Sequence, residues 1–352
     1  MLRTGISIFA ALVTALILGA APGVRAAEPI QLEFGNWVPS THHLAVNAFE
    51  PWKKIVEEKT TGRVKVNLYH GGVLGTSKAV LNDVKGGVYH VGIMVSSYYF
   101  DTPIFKLTIG ELPFAITSPT AGLKVMQEFT EKYGKDVFEK LDIKNMGVFA
   151  SEPYVLFSTK PIRRVEDLKG KKIRAAGKAW VQIDKDWGAV PIPMQPEEAY
   201  TALERGTLDV MQHSPYSGSA YKYYEPAPYV TQLNAPTVIG GMIMNKTFYD
   251  KLPADLKKLF DEELNPALMN MLTNSYEKGT QEALAKMREA FKARGKGEVI
   301  ALSPEERAKF VKPTESEWAA WVKEANKRGY PGEAMMADFK AILKKHGLAP
   351  PF

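Results

Sequence analysis

The residues of this chain that could do chemistry are six histidines, a spread of carboxylates and one arginine on a short apolar strand. His42, His43, His70, His90, His213 and His346 include no pair at the i, i+4 spacing that puts two imidazoles on one helix face for zinc. His42 and His43 are adjacent, so from a helix start they point in different directions. No carboxylate-rich calcium loop occurs. Tyr216-Ser217-Gly218 lacks the preceding glycine of a serine-nucleophile turn, and Gly71-Gly72-Val73-Leu74-Gly75 lacks the lysine and spacing of a phosphate loop. With no cysteine, thiolate nucleophiles and thiolate metal sites are excluded. Recognition of a ligand is the chemistry that remains. In Lys172-Ile173-Arg174-Ala175-Ala176-Gly177 the strand alternation sets Ile173 and Ala175 on one face and Arg174 on the other. Arg174 is then either a solvated arginine or a guanidinium fork aimed at an anion.

The elements that must position these residues alternate between strand and helix. Ile30 to Phe34 alternates as a strand, Ser40 or Thr41 is placed to cap a helix from about His43 to Lys59, and Val64, Val66 and Leu68 mark a half-buried strand. A helix to Lys85 and a strand over Val91–Met94 follow. Such alternation predicts an α/β sheet with ligand sites at its strand ends. A boundary falls near residues 145–162, a second α/β unit runs to about Asn234, and strands over Tyr229–Leu233 and Val238–Met244 return the chain to the first unit. From Pro253 onward, Leu256, Leu259, Phe260, Leu264, Leu268, Met271, Leu272, Tyr276, Met287 and Phe291 follow a helical period. A helix of roughly 40 residues would reach about 60 Å. Bent at Pro266, it reads as a strut across both units. The division expected is 27–150 plus about 235–275 for the first lobe, and 151–234 plus about 276–352 for the second.

The 352 residues carry a formal charge of +6 and no long basic block, which gives no support for nucleic-acid binding. Arg3, the apolar run Ile6–Ala21 and Val24-Arg25-Ala26 read as a secretory leader cut after Ala26. Without cysteine, an exported chain must hold itself together by its core, and no later stretch is long and apolar enough to span a bilayer.

Five ordered motifs tie these elements together. Lys160-Pro161-Ile162 is followed by Val165-Glu166-Asp167-Leu168-Lys169-Gly170-Lys171-Lys172-Ile173-Arg174, then by Val190-Pro191-Ile192-Pro193-Met194. Ala199-Tyr200-Thr201-Ala202-Leu203 and Gly206-Thr207-Leu208-Asp209-Val210 complete the set. The series resembles the second lobe of solute-binding proteins of TRAP (tripartite ATP-independent periplasmic) transporters, and the resemblance extends over about residues 28–345. It implies a periplasmic binding protein-like α/β fold: two α/β lobes, a ligand cleft between them, and a long kinked helix bridging both. It further implies a monomer that captures a small organic acid, without cofactor, metal or nucleic acid, and delivers it to the membrane permease subunits. A periplasmic receptor presenting the acid to a signalling partner is the alternative; an enzyme on this scaffold would lack any poised nucleophile.

The resemblance also assigns roles. Arg174 pairs with the ligand carboxylate. His213 stands at a ligand-facing position, as a neutral donor, a second cation, or simply a strand-end histidine, while Gln212 replaces the usual glutamate. Where relatives carry Gly-Phe-Arg this chain has Pro153 or Tyr154, so a second arginine is missing and dicarboxylates are disfavoured. Tyr216 shares that wall. From the first lobe, Trp37, His43, Tyr98, Tyr99 and Phe100 face the cleft, and Leu112-Pro113-Phe114 is a structural motif. The aromatic residues point to an apolar or aromatic monocarboxylate.

Overall fold

The computed structural model describes residues 28–234 and 236–352; the leader expected over residues 1–26 lies outside them. In chain order the strands are β1 (Ile30–Gly35), β2 (Val64–Tyr69), β3 (Val91–Val95), β4 (Ile143–Ala150), β5 (Val155–Ser158), β6 (Lys172–Ala175), β7 (Val190–Pro193), β8 (Val210–His213), β9 (Tyr229–Gln232), β10 (Ile239–Asn245) and β11 (Glu298–Ala301). They form two sheets, ordered β2-β1-β3-β10-β4 and β11-β9-β5-β8-β6-β7. β1 pairs in parallel with β2 and β3, as helical crossovers require, whereas β10 runs antiparallel between β3 and β4. β10 reaches that place only after the chain has built most of the second sheet, so the lobes are joined by crossing segments.

Two of these crossings are fastened to each other. Ser151 N donates to Val238 O at 2.9 Å, Thr237 Oγ1 donates to Ser151 O at 2.6 Å, and Val238 N donates to Ser151 Oγ at 3.1 Å. The third crossing is the helix Asn265–Arg294, ended by Gly295 at φ +62°. Its first half buries Leu268, Met269, Leu272 and Tyr276 with Phe34 and Trp52 of the first lobe. Its second half buries Ala283, Leu284, Met287 and Phe291 with Phe157 and Val230 of the second. The expected strut is therefore present.

Proline shapes this helix less simply than a single bend. A π-helical turn, Phe260–Leu264, sits directly before Pro266, and another, Ala45–Phe49, interrupts the expected 43–59 helix directly before Pro51. Proline donates no N–H and its ring crowds the carbonyl four residues back, so the preceding turn widens to the next register. The expected Ser40 or Thr41 cap is replaced: Leu44 N donates to His42 Nδ1 at 3.2 Å.

The C-terminal helices Glu315–Lys327 and Gly332–Lys345 pack Trp318, Trp321, Phe339 and Leu343 onto Phe105 and Phe129 of the first lobe, although the sequence division set 276–352 with the second. Their apolar stripes announce that a face is buried, not against which sheet. Phe114 crosses the other way. It lies among Leu156, Ile173, Trp187 and Phe310 of the second lobe, at φ +64°, a conformation costly for a bulky side chain.

Candidate ligand cleft

Between the lobes, β6 delivers Arg174 to a site where only 1% of the residue is exposed. Its Nε donates to the Met194 carbonyl beyond β7 at 3.0 Å, and its Nη2 donates to the Tyr98 hydroxyl of the first lobe at 3.1 Å. Among the described residues no Asp or Glu forms an ion pair with it. The nearby acid is Asp184, which accepts a short hydrogen bond from Gln212 Nε2. Burial holds the Asp184 carboxyl well above its ordinary range, against the opposing pull of Gln212 and Arg174, which disfavours its charged form. A buried cation without a neutralising anion is costly unless a charged partner is supplied.

Around this cation the walls are rings. Tyr154 stacks on His213 with ring centroids 5.2 Å apart and planes 7° apart, and Trp180 flanks it at 5.3 Å. Tyr223 closes on His213 at 5.6 Å and Tyr221 stacks on Tyr223 at 5.3 Å; the buried Tyr221 hydroxyl has no hydrogen-bond partner. Burial, aided by the Arg174 charge, drives the His213 pKa well below its ordinary value. His213 is therefore neutral, and of the readings left open the second cation is the one its surroundings exclude.

The cleft encloses a cavity of about 30 Å³ bounded by Trp37, His42, Tyr98, Tyr154, His213 and Tyr276, with Ser151, Ser214 and Ser217 adding hydroxyls. Four of the expected residues thus line one space, with Arg174 immediately behind the Tyr98 hydroxyl. Five do not line it, Tyr99 and Phe100 among them, which pack into the first-lobe core instead. Gln212 is fully buried against Asp184. His43 spends both ring nitrogens on Ser275 Oγ (2.7 Å) and Ser217 Oγ (3.0 Å), and stacks on Tyr216 at 4.2 Å. His43 and Tyr216 therefore form a contact between lobes beside the hinge helix.

His42, Tyr276 and the serines were not singled out as ligand residues. Tyr276 falls in the core stripe of its helix, so its period hid its position. His42 is fixed by its cap: with Nδ1 accepting from Leu44, the neutral ring carries its proton on Nε2, and burial lowers its pKa to about 3. The lobes also touch beyond Arg174. A Cβ added to Gly177 would stand 2.6 Å from the Ser97 carbonyl oxygen. No group of three or more His, Asp or Glu is arranged to hold a metal, and no helix is long and apolar enough to cross a membrane, among the described residues.

Comparison with known proteins agrees with this architecture. The chain matches the family described as bacterial extracellular solute-binding protein, family 7 (DctP), over residues 34–324. It is similar to the C4-dicarboxylate-binding periplasmic protein DctP of Rhodobacter capsulatus, at 27% identity over 86% of this chain and 89% of that protein. It is also similar to the 2,3-diketo-L-gulonate-binding periplasmic protein YiaO of Escherichia coli, at 25% identity over 66% of this chain and 70% of that protein. In fold it resembles a TRAP solute-binding protein of Rhodoferax ferrireducens in complex with copurified benzoate, with a TM-score of 0.82 at 24% identity over 90% of this chain and 98% of that one. With the family matched across both lobes and the crossings between them, the chain belongs to the family 7 bacterial extracellular solute-binding proteins, those of TRAP transporters.

Proposed function

We propose that this protein captures a small organic monocarboxylate with an aromatic or apolar body in the periplasm and hands it to a TRAP membrane permease. The observation that carries the reading is Arg174: a buried guanidinium with no carboxylate partner among the described residues, set in a cleft of aromatic rings. Such a fork gives a planar carboxylate two parallel charge-assisted hydrogen bonds. The acid displaces or shares the Tyr98 contact, while Tyr154, His213 and Trp37 enclose its body and His42 Nε2 and the serines meet its polar substituents. The three relatives named above carry a dicarboxylate, a sugar acid and benzoate, so family membership leaves the choice to the cleft. This cleft has one such cation and neutral histidines, which favours one carboxylate. Export by the residue 1–26 leader, and lobes divided at the three crossings that close over the ligand, belong to the same reading.

The test is a thermal-shift and calorimetric screen with benzoate, mandelate, isovalerate and succinate. At a hundred times its dissociation constant a ligand adds about 2.7 kcal/mol of stability. Stabilisation by monocarboxylates, lost in Arg174→Ala, supports the reading. Preference for succinate, or full affinity in Arg174→Ala, refutes it.

A further inference from the structure

Lined by none of the residues that bound the ligand cleft, a second cavity of about 240 Å³ lies where three parts of the chain meet. Phe100, Leu112 and Pro113 come from the first lobe, Gln182 and Ile183 from the second, and Glu317 and Trp321 from the helix Glu315–Lys327. Two of its carboxyls are deeply buried: Glu111 is 5% exposed and Glu317 is 7% exposed. Glu111 is engaged, its Oε1 accepting from Ile239 N at 3.1 Å. Glu317 lines the cavity with no hydrogen-bond donor or cation against it among the described residues. A third acid, Glu324, is taken by Arg328 at 2.8 Å, and the Arg328 guanidinium lies 5.0 Å over the Phe100 ring. Asp186, the other acid near Glu317, is held by Gln182 and Ser316.

We propose that this seam is a second binding site, for a small organic cation: an alkylammonium or alkylguanidinium with a short apolar stem. Glu317 is the anion, the Trp321 ring offers a face to the cationic head, and Ile183, Leu112 and Pro113 take the stem. The volume suits a ligand of a few heavy atoms, below the range of most drug-sized pockets. Burial and the neighbouring Asp186 hold the Glu317 carboxyl up, to about 7, and a cation seated beside it would pull it down again. Because the walls come from both lobes and the C-terminal helices, the site exists only while those three stay together. It does not depend on the identity of the acid in the main cleft.

Calorimetric titration of purified protein with n-butylguanidinium and n-butylammonium tests the site, with 1-butanol as the neutral isostere. Saturable one-to-one binding of either cation, weakened at least tenfold in Glu317→Gln, is the expected result. Ala320→Met, which narrows the cavity without changing charge, should weaken binding as well and serves if Glu317→Gln fails to fold, as its melting temperature will tell. Absence of saturable cation binding, equal binding of 1-butanol, or unchanged binding in both seam variants overturns the proposal.

Discussion

The Nη2 of Arg174, rooted in the second lobe, donates to the hydroxyl of Tyr98, rooted in the first, at 3.1 Å. One hydrogen bond thus joins the cation of the cleft to the opposite lobe, and the two residues should differ sharply in what their loss costs. Arg174→Ala removes one half of a desolvated charge pair and should cost about 2–5 kcal/mol of ligand binding. Tyr98→Phe removes a single hydrogen bond, which to a charged group is worth about 1.5–3 kcal/mol and is partly restored by the ligand itself. Calorimetry with the best monocarboxylate should therefore rank Arg174→Ala well below Tyr98→Phe; equal losses would place the anion elsewhere.

Asp184 should be electrically silent. Burial shifts its carboxyl upward, toward the uncharged acid, so Asp184→Asn should leave monocarboxylate affinity within about twofold, whereas Gln212→Glu adds a second buried acid beside it and should weaken binding. A marked gain in affinity for Asp184→Asn would show that an ionised Asp184 had been neutralising Arg174.

Gly177 sets how closely the lobes approach. Its backbone is extended, φ −174°, so a side chain there costs no backbone strain and acts only by meeting the Ser97 carbonyl. Gly177→Val should hold the lobes apart and lower ligand affinity. Small-angle scattering should show a larger radius of gyration that ligand no longer reduces; normal compaction would contradict the contact.

Gly279 should matter to stability instead. A Cβ there would fall 1.7 Å from a Tyr216 ring carbon, so Gly279→Ala must displace Tyr216 and break its stack on His43. Overpacking of this kind costs about 1–3 kcal/mol, readable as a lower urea midpoint with unchanged slope.

The buried acids predict a pH dependence with a definite sign. Glu111 and Glu152 are raised by burial from 4.5 to about 8, so between those values the folded state holds protons that the unfolded state releases, and stability falls as pH rises. His42 has the opposite effect, lowered from 6.5 to about 3, but its contribution is complete above pH 6.5. Above pH 6.5 the upward shifts of Glu111 and Glu152, joined by those of Glu317 and Asp184, all act in one direction, and the melting temperature should drop up to pH 8. The double variant Glu111→Gln and Glu152→Gln keeps both backbone hydrogen bonds and should flatten that slope; a rising melting temperature would refute the assignment.

The sequence by itself determined much of this protein. Alternation at Ile30–Phe34 and Val64–Leu68, the returning strand near Val238–Met244 and the long apolar stripe from Leu256 to Phe291 are local patterns, and local periodicity survives folding. The absence of cysteine, zinc spacings and nucleophile turns is equally a property of the string, and the five motifs led to Arg174. What the tertiary structure decided is how groups distant in sequence meet. Ser275 and Ser217 take both nitrogens of His43, Leu44 turns His42 into a neutral cap facing the cleft, burial and the Arg174 charge disfavour the cationic form of His213, and burial disfavours the anionic form of Asp184. Two prolines became π-helical turns, and the C-terminal helices docked on the first lobe. Charge state and packing partner depend on what surrounds a side chain in space, and a one-dimensional pattern carries the face an element will bury without naming what it will bury it against.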